Sequence, residues 1–168
     1  MDQEGYVFIG KYETTFIFKL EGRLRQKSLW NVKAAITKCE EDATVTNLLV
    51  DISQCEYMDS TILGMLARWA ISFVKTHSSP PFLLGLRGNP LESTLRRMKL
   101  DSLFHVSEDT HITSKSALSQ IALPDKFSRK EYAEYLLSAH QTLAELSSEN
   151  AKEFAMVIDC LKAEVEKE

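Results

Sequence analysis

Several signatures are missing from this chain, and each gap removes a class of function. Neither GxGxxG nor GxxxxGK[ST] occurs, so a backbone cradle for a dinucleotide or triphosphate is not signalled and a nucleotide enzyme of either type is disfavoured. The three cysteines, Cys39, Cys55 and Cys160, are scattered and odd in number. They form neither a disulfide framework nor a CxxC knuckle and read as reduced thiols. The four histidines, His77, His105, His111 and His140, include no HxxxH or HExxH pair, so no metal site and no metal or organic cofactor is expected. No nucleophile and base stand together in sequence, which leaves no catalytic residue to name and makes an enzyme the weakest reading; only a distant histidine approaching in space could change that.

Long apolar runs are absent too. The longest, Ile62 to Val74, is broken by Arg68 and Ser72 and falls short of the ~20 residues of a membrane span. The amino terminus, "MDQEGYVFIG", carries acids where a secretory signal would be basic, so a cytoplasmic location is the expectation. A basic excess is also lacking: residues 1–124 hold 14 Lys/Arg against 14 Asp/Glu, and residues 125–168 hold 6 against 10. All of the net charge of -4 therefore lies in the last quarter, and nucleic acid is not an expected partner.

What is present is a chain of 168 residues, 44% hydrophobic, enough for one ordinary core and a small appendage. "YVFI" (6–9) and "TTFIFKL" (14–20) read as strands, with "GKYE" as their turn. "SLWNVKAAITKCEE" places Leu29, Val32, Ile36 and Cys39 on one helical face behind a Ser28 cap. "TNLLVDIS" (46–53) is a strand apolar on both faces. The stretch from Asp59 to Lys75 is a helix striped by Leu63, Leu66, Ala67, Ala70 and Val74. "PFLLGL" (81–86) is a strand, "NPLESTLRRM" (89–98) a helix capped by Asn89 with Pro90 in its first turn. "SLFHV" (102–106) reads as a last strand and "SKSALSQI" (114–121) as a short helix. Alternation after an opening hairpin predicts an α/β fold: a mixed sheet of four to five strands, its later strands parallel and joined by right-handed crossovers, with helices packed on it.

Residues 128–167 contain no Gly and no Pro and are rich in Ala, Leu, Glu and Lys, a helix-forming composition. Tyr132, Leu136, Ala139, Leu143 and Leu146 form one stripe, which resumes one residue out of register as Phe154, Val157 or Ile158, Leu161 and Val165. A single helix from Arg129 to Lys167 fits; so does a helical hairpin in which Asn150 caps the second helix and Glu153 reaches back. The hairpin is preferred, because a long isolated helix would leave its stripe in water.

The chemistry concentrates in "LLVDISQCEYMDSTILGML" (48–66). Asp59 can accept from the amides of Thr61 or Ile62 and its charge suits the positive end of a helix; Ser60 and Thr61 then fill the first turn. On those grounds alone Ser60 is a first-turn hydroxyl and no more. The whole stretch, however, resembles the STAS family, the anti-sigma factor antagonists, in its D-x-S strand end and its "DSTxLG" loop and helix, and "FKLEGRL" (18–24) is similar to the family's strand and turn before the first helix. The likeness spans about residues 4–122. It implies the STAS fold, a division into a STAS domain (1–122) and an acidic helical extension (123–168), and a function in partner switching.

By that resemblance, the unphosphorylated protein binds an anti-sigma factor that is also a serine kinase of the histidine-kinase-like ATPase type. Phosphorylation of Ser60 breaks the complex, and a metal-dependent serine phosphatase restores it. Thr61 is the second choice as acceptor. Asp51, Ser53, Asp59, Ser60, Thr61 and Ile62 fall on positions of the partner-binding surface. Ile62 stands where the family has Gly; it would narrow kinase access or add an apolar anchor. The alternative is a non-switching STAS scaffold or complex subunit in a transporter or sensory assembly. The extension, outside the family pattern, packs on the domain, mediates self-association as a homodimer, or forms part of the partner surface.

Overall fold

A computed structural model describes residues 4–108, 117–122 and 128–167. The chain runs β1 (Tyr6–Tyr12), β2 (Thr15–Leu24), α1 (Leu29–Glu41), β3 (Asn47–Met58), α2 (Ser60–His77), β4 (Phe82–Leu84), α3 (Glu92–Arg97), β5 (His105–Ser107), β6 (Ser119–Gln120), α4 (Arg129–Glu145) and α5 (Ser148–Glu166). One sheet has the order β5-β4-β3-β2-β1-β6. β2, β3, β4 and β5 are mutually parallel, while β1 runs antiparallel to both β2 and β6.

Six strands thus replace the expected four to five. The extra one is β6, where Ser119–Gln120 lie in the stretch read as a helix; residues 114–116 of that stretch are outside the described residues. Pairing with β1 offers these residues backbone partners that a one-turn helix would lack. The opening turn also moves. Tyr12 pairs with Thr15, leaving Glu13 and Thr14 as the loop, with Glu13 at φ 54°. Gly10 stays in β1, where a Cβ would come within 2.5 Å of the Leu118 side chain; its smallness serves the close passage of that residue, not a turn.

Period-two alternation divides the sheet's faces. Phe16, Phe18, Leu20, Leu48, Val50 and Ile52 join the main core with the buried sides of the helices, whereas Ile17, Leu49 and Leu84 form a small cluster on the other face. Phe18 and Trp69 meet edge to face, 5.0 Å between centroids, fixing α2 on the sheet. On the face away from the helices, Lys19 and Asp51 are neighbours across β2 and β3, both buried and joined at 3.1 Å.

Helix boundaries shift for local reasons. Ser28 occupies the N-cap position of α1 but makes no side-chain cap, because a 3₁₀ turn, Gln26–Ser28, already leads into the helix. α3 starts only at Glu92. Asn89 accepts from the amide of Leu91 (2.8 Å) and sends its own amide to the carbonyls of Ile52 (2.8 Å) and Cys55 (3.2 Å). It ties the segment to the end of β3 instead of capping a helix that begins at Pro90. Residues 102 and 103, expected within the last strand, belong instead to a 3₁₀ turn, Asp101–Leu103.

The carboxy-terminal residues form the helical hairpin, packed on α2. Its second helix is capped by Ser147, whose hydroxyl accepts from the Asn150 amide at 3.1 Å. Asn150 is buried and Glu153 pairs with Arg97 at 3.0 Å, so the expected Asn150 cap with Glu153 reaching back does not form. The cap falls three residues earlier because the helices are joined by only Leu146 and Ser147.

Candidate functional site at the entrance of α2

β3 and α2 are joined by a single residue, Asp59. Its extended backbone (φ -78°, ψ 173°) turns the chain out of the sheet, and its amide donates to Leu24 O at 3.1 Å, holding the junction against β2. The carboxylate accepts from the Ile62 amide at 3.0 Å, so Asp59 is the N-cap that the sequence suggested. Burial pushes its carboxyl above the usual range, against the opposing pull of backbone amides at Ile62, Gln26 and Thr61 and of His140.

The six expected surface residues separate by depth. Ser60, the first residue of α2, is half-buried, as are Asp59 and Ser53. Thr61 is 1% exposed, with its hydroxyl buried and lacking a hydrogen-bond partner, and Ile62 is 0% exposed. Neither side chain is on the surface: the first turn of α2 rolls both into the core beneath the helix, so Ile62 anchors α2 rather than a partner in this conformation. Asp51 is also buried, paired with Lys19 and accepting from the Ser53 amide at 2.9 Å. Ser53 packs against Gly85, whose Cβ would come within 2.5 Å of it.

One residue of the site carried no local signal. His140 of α4 lies with Nε2 2.8 Å from Ser60 Oγ. Its Nδ1 is 2.7 Å from Leu136 O; a carbonyl only accepts, so Nδ1 carries a proton, and in the neutral ring Nε2 presents a lone pair to which the Ser60 hydroxyl donates. His140 is 4% exposed and meets Phe154 edge-on at 5.6 Å. The apolar stripe of α4, Tyr132, Leu136, Ala139, Leu143 and Leu146, was visible in the sequence; the meeting of His140 with Ser60, 80 residues away, was not.

A serine donating to a neutral histidine is also the start of a nucleophilic pair. Here the histidine is oriented by its own helix carbonyl rather than by a carboxylate. Three surface cavities are lined by Lys33, Arg68, Trp69 and Tyr135, by Cys39, Phe73 and His77, and by Arg129, Leu136 and Lys167. Nearby, on the same end of the sheet, Arg23 and Arg25 lie 4.6 and 5.6 Å from the centre of the exposed Tyr57 ring. Among the described residues no helix is long and apolar enough to cross a membrane, and no three His, Cys, Asp or Glu gather to hold a metal ion.

No curated protein matches this chain. A solved structure of the anti-sigma factor antagonist SpoIIAA in its unphosphorylated form is similar at a TM-score of 0.49 and 15% identity, covering 62% of this chain and 89% of that one. The STAS domain model matches residues 7–112, which takes in the sheet from β1 to β5, the Asp59 junction and the whole of α2; the chain belongs to the STAS domain family.

Proposed function

We propose that this protein is a phosphorylation-switched binding module, an anti-sigma factor antagonist whose unphosphorylated form engages an anti-sigma factor with serine kinase activity. The observation that carries the reading is the placement of Ser60: it is the first residue of α2, immediately after the Asp59 N-cap, and of the two adjacent hydroxyls it alone is not fully buried. A helix N-terminus favours an anion through its unpaired amides and its dipole. A phosphoryl group there adds about -1.5 to -2 charge and three acceptor oxygens. Against a partner that supplies no cation, desolvating that group is unfavourable, and a loss of ~2.7 kcal/mol weakens binding a hundredfold. A metal-dependent serine phosphatase would restore binding. Asp59 and Ser53 flank Ser60 on the surface such a partner would touch.

Intact-mass measurement after incubation with a cognate kinase and ATP tests this. The wild type should gain one phosphoryl group and Ser60→Ala none. Continued labelling of the alanine variant rejects Ser60 as the acceptor. In binding, Ser60→Asp should associate with the kinase at least tenfold more weakly than Ser60→Ala; equal affinities reject an electrostatic switch.

A further inference from the structure

The same hydroxyl that the proposed switch needs is already occupied from within the chain. His140 Nε2 accepts from Ser60 Oγ at 2.8 Å, and five residues of α4, Ala133, Leu136, Ala139, His140 and Leu143, are buried. The two helices come close at Gly64, one turn into α2: a Cβ there would sit 2.6 Å from the carbonyl carbon of Ala139 and 2.8 Å from its Cα. α4 thus rests on the backbone of α2, directly beside the acceptor. α5 braces it from behind, through Phe154 against His140 and through Asn150, whose amide donates to Leu143 O at 3.0 Å and Met98 O at 2.8 Å. At the rim, Lys33 pairs with Glu131 and Tyr132 donates to Gln26.

We propose that the α4–α5 hairpin is an intramolecular cap on Ser60, and that docking of the hairpin and phosphorylation of Ser60 exclude one another. This rests on the reading of Ser60 as the acceptor. In the transfer, Ser60 Oγ forms a bond to the γ-phosphorus of ATP, the bond from that phosphorus to the bridging oxygen breaks, ADP leaves with the electron pair, and the hydroxyl proton passes to a base of the kinase. His140 already holds the hydroxyl proton that the kinase's base must take, and α4, resting on α2 beside Ser60, stands where the kinase must dock. A docked hairpin therefore blocks in-line approach, and only the undocked fraction is a substrate. Linkage makes the effect reciprocal: a phosphoryl group on Oγ, once present, disfavours redocking by the same factor. The acidic balance of the hairpin adds repulsion of the same sign. The kinase, or the partner surface it carries, must compete with the chain's own α4 for the entrance of α2.

Hydrogen–deuterium exchange on the full chain carrying phosphoserine at position 60, installed during translation, reads the cap without any kinase. The expected result is exchange at least tenfold faster than in the unmodified protein at amides of α4 and α5, with β2 and β3 still protected. Unchanged protection of α4 overturns the proposal. Should the phosphoserine chain lose protection in the sheet as well, Ser60→Asp, with its smaller anion, decides by the same criterion. The reciprocal arm uses Gly64→Ala, which wedges α4 away: its Ser60 should be phosphorylated at least tenfold faster than wild type at fixed kinase, and an unchanged rate overturns the cap. The two readings fail separately. Slow exchange of α4 in the phosphoserine chain removes the cap and leaves Ser60 as acceptor, whereas fast exchange with no kinase labelling in any variant removes the acceptor and leaves the exclusion in place.

Discussion

Asn150 donates its side-chain amide to the carbonyl of Met98, 52 residues earlier in the chain, and to Leu143 O on the neighbouring helix. A single buried residue at the start of α5 thus supplies a donor to the end of α3 and a second one to Leu143 O, which also accepts from the Leu146 amide at 3.2 Å. The hairpin is attached by polar chemistry at one end and by the Gly64 contact at the other.

Replacing that amide takes the donor from Met98 O and leaves Leu143 O with the Leu146 amide at 3.2 Å. Asn150→Ala should lower the unfolding free energy by about 2 kcal/mol, within the range for an unsatisfied buried group, and Asn150→Leu should not recover it, since shape without a donor leaves the Met98 carbonyl unpaired. Urea unfolding followed by circular dichroism measures both; a loss under about 0.5 kcal/mol would show that water replaces the amide.

Lys19 and Asp51 are both more than nine-tenths buried and 3.1 Å apart. Removing one charge strands the other. Lys19→Met alone should cost about 3 kcal/mol, while Lys19→Met combined with Asp51→Asn, which keeps an oxygen for the Ser53 amide, should recover more than half of it. A double-mutant cycle with additive losses would contradict this coupling.

The carboxyls respond to pH in opposite senses. Asp59 is raised by burial, so its contribution to stability is complete below the unfolded carboxyl value of 3.8 and is lost as pH rises through its raised folded value. Asp42, exposed but hydrogen-bonded by Lys11 and Thr44, is lowered to about 2; its contribution is present above 3.8 and lost as pH falls through about 2. Asp59→Asn, which keeps a capping oxygen without the charge, should therefore be more stable than wild type at pH 7, the gain shrinking to nothing below pH 3.8. Asp59→Ala, which also loses the cap, should be about 1 kcal/mol less stable than Asp59→Asn. Urea midpoints across pH check both signs.

Thiol chemistry should discriminate among the cysteines. Burial pushes Cys39 and Cys55 up to about 12, whereas Cys160 is exposed on α5. An alkylating reagent at pH 8 should modify one thiol in the native protein and all three after denaturation, with Cys160→Ser abolishing the native reaction. Native labelling of Cys39 or Cys55 would reveal local opening of the core that surrounds them.

Most elements were legible because periodicity reports which face of a segment is buried. Leu48 to Ile52 are buried on both faces, as their unbroken apolar run indicated, and Leu136, Ala139 and Leu143 line the covered side of α4. Short elements were less legible: β6 exists because β1 offers it an edge, and α3 starts late because Asn89 finds better partners on β3. Neither fact is local.

The sequence by itself determined the α/β order, the Asp59 cap, the acidic helical tail and the motif that marks the STAS family. Capping and amphipathic patterning act over three or four residues, so they can be read in a line of letters. Tertiary structure alone decided that Thr61 and Ile62 are inward, that Ser53 lies against Gly85, and that His140 meets Ser60 across 80 residues. A stripe on a helix records that something covers it, never what. The partner is chosen by the packing of whole elements, and here that packing laid the tail over the one of the two adjacent hydroxyls that is not fully buried.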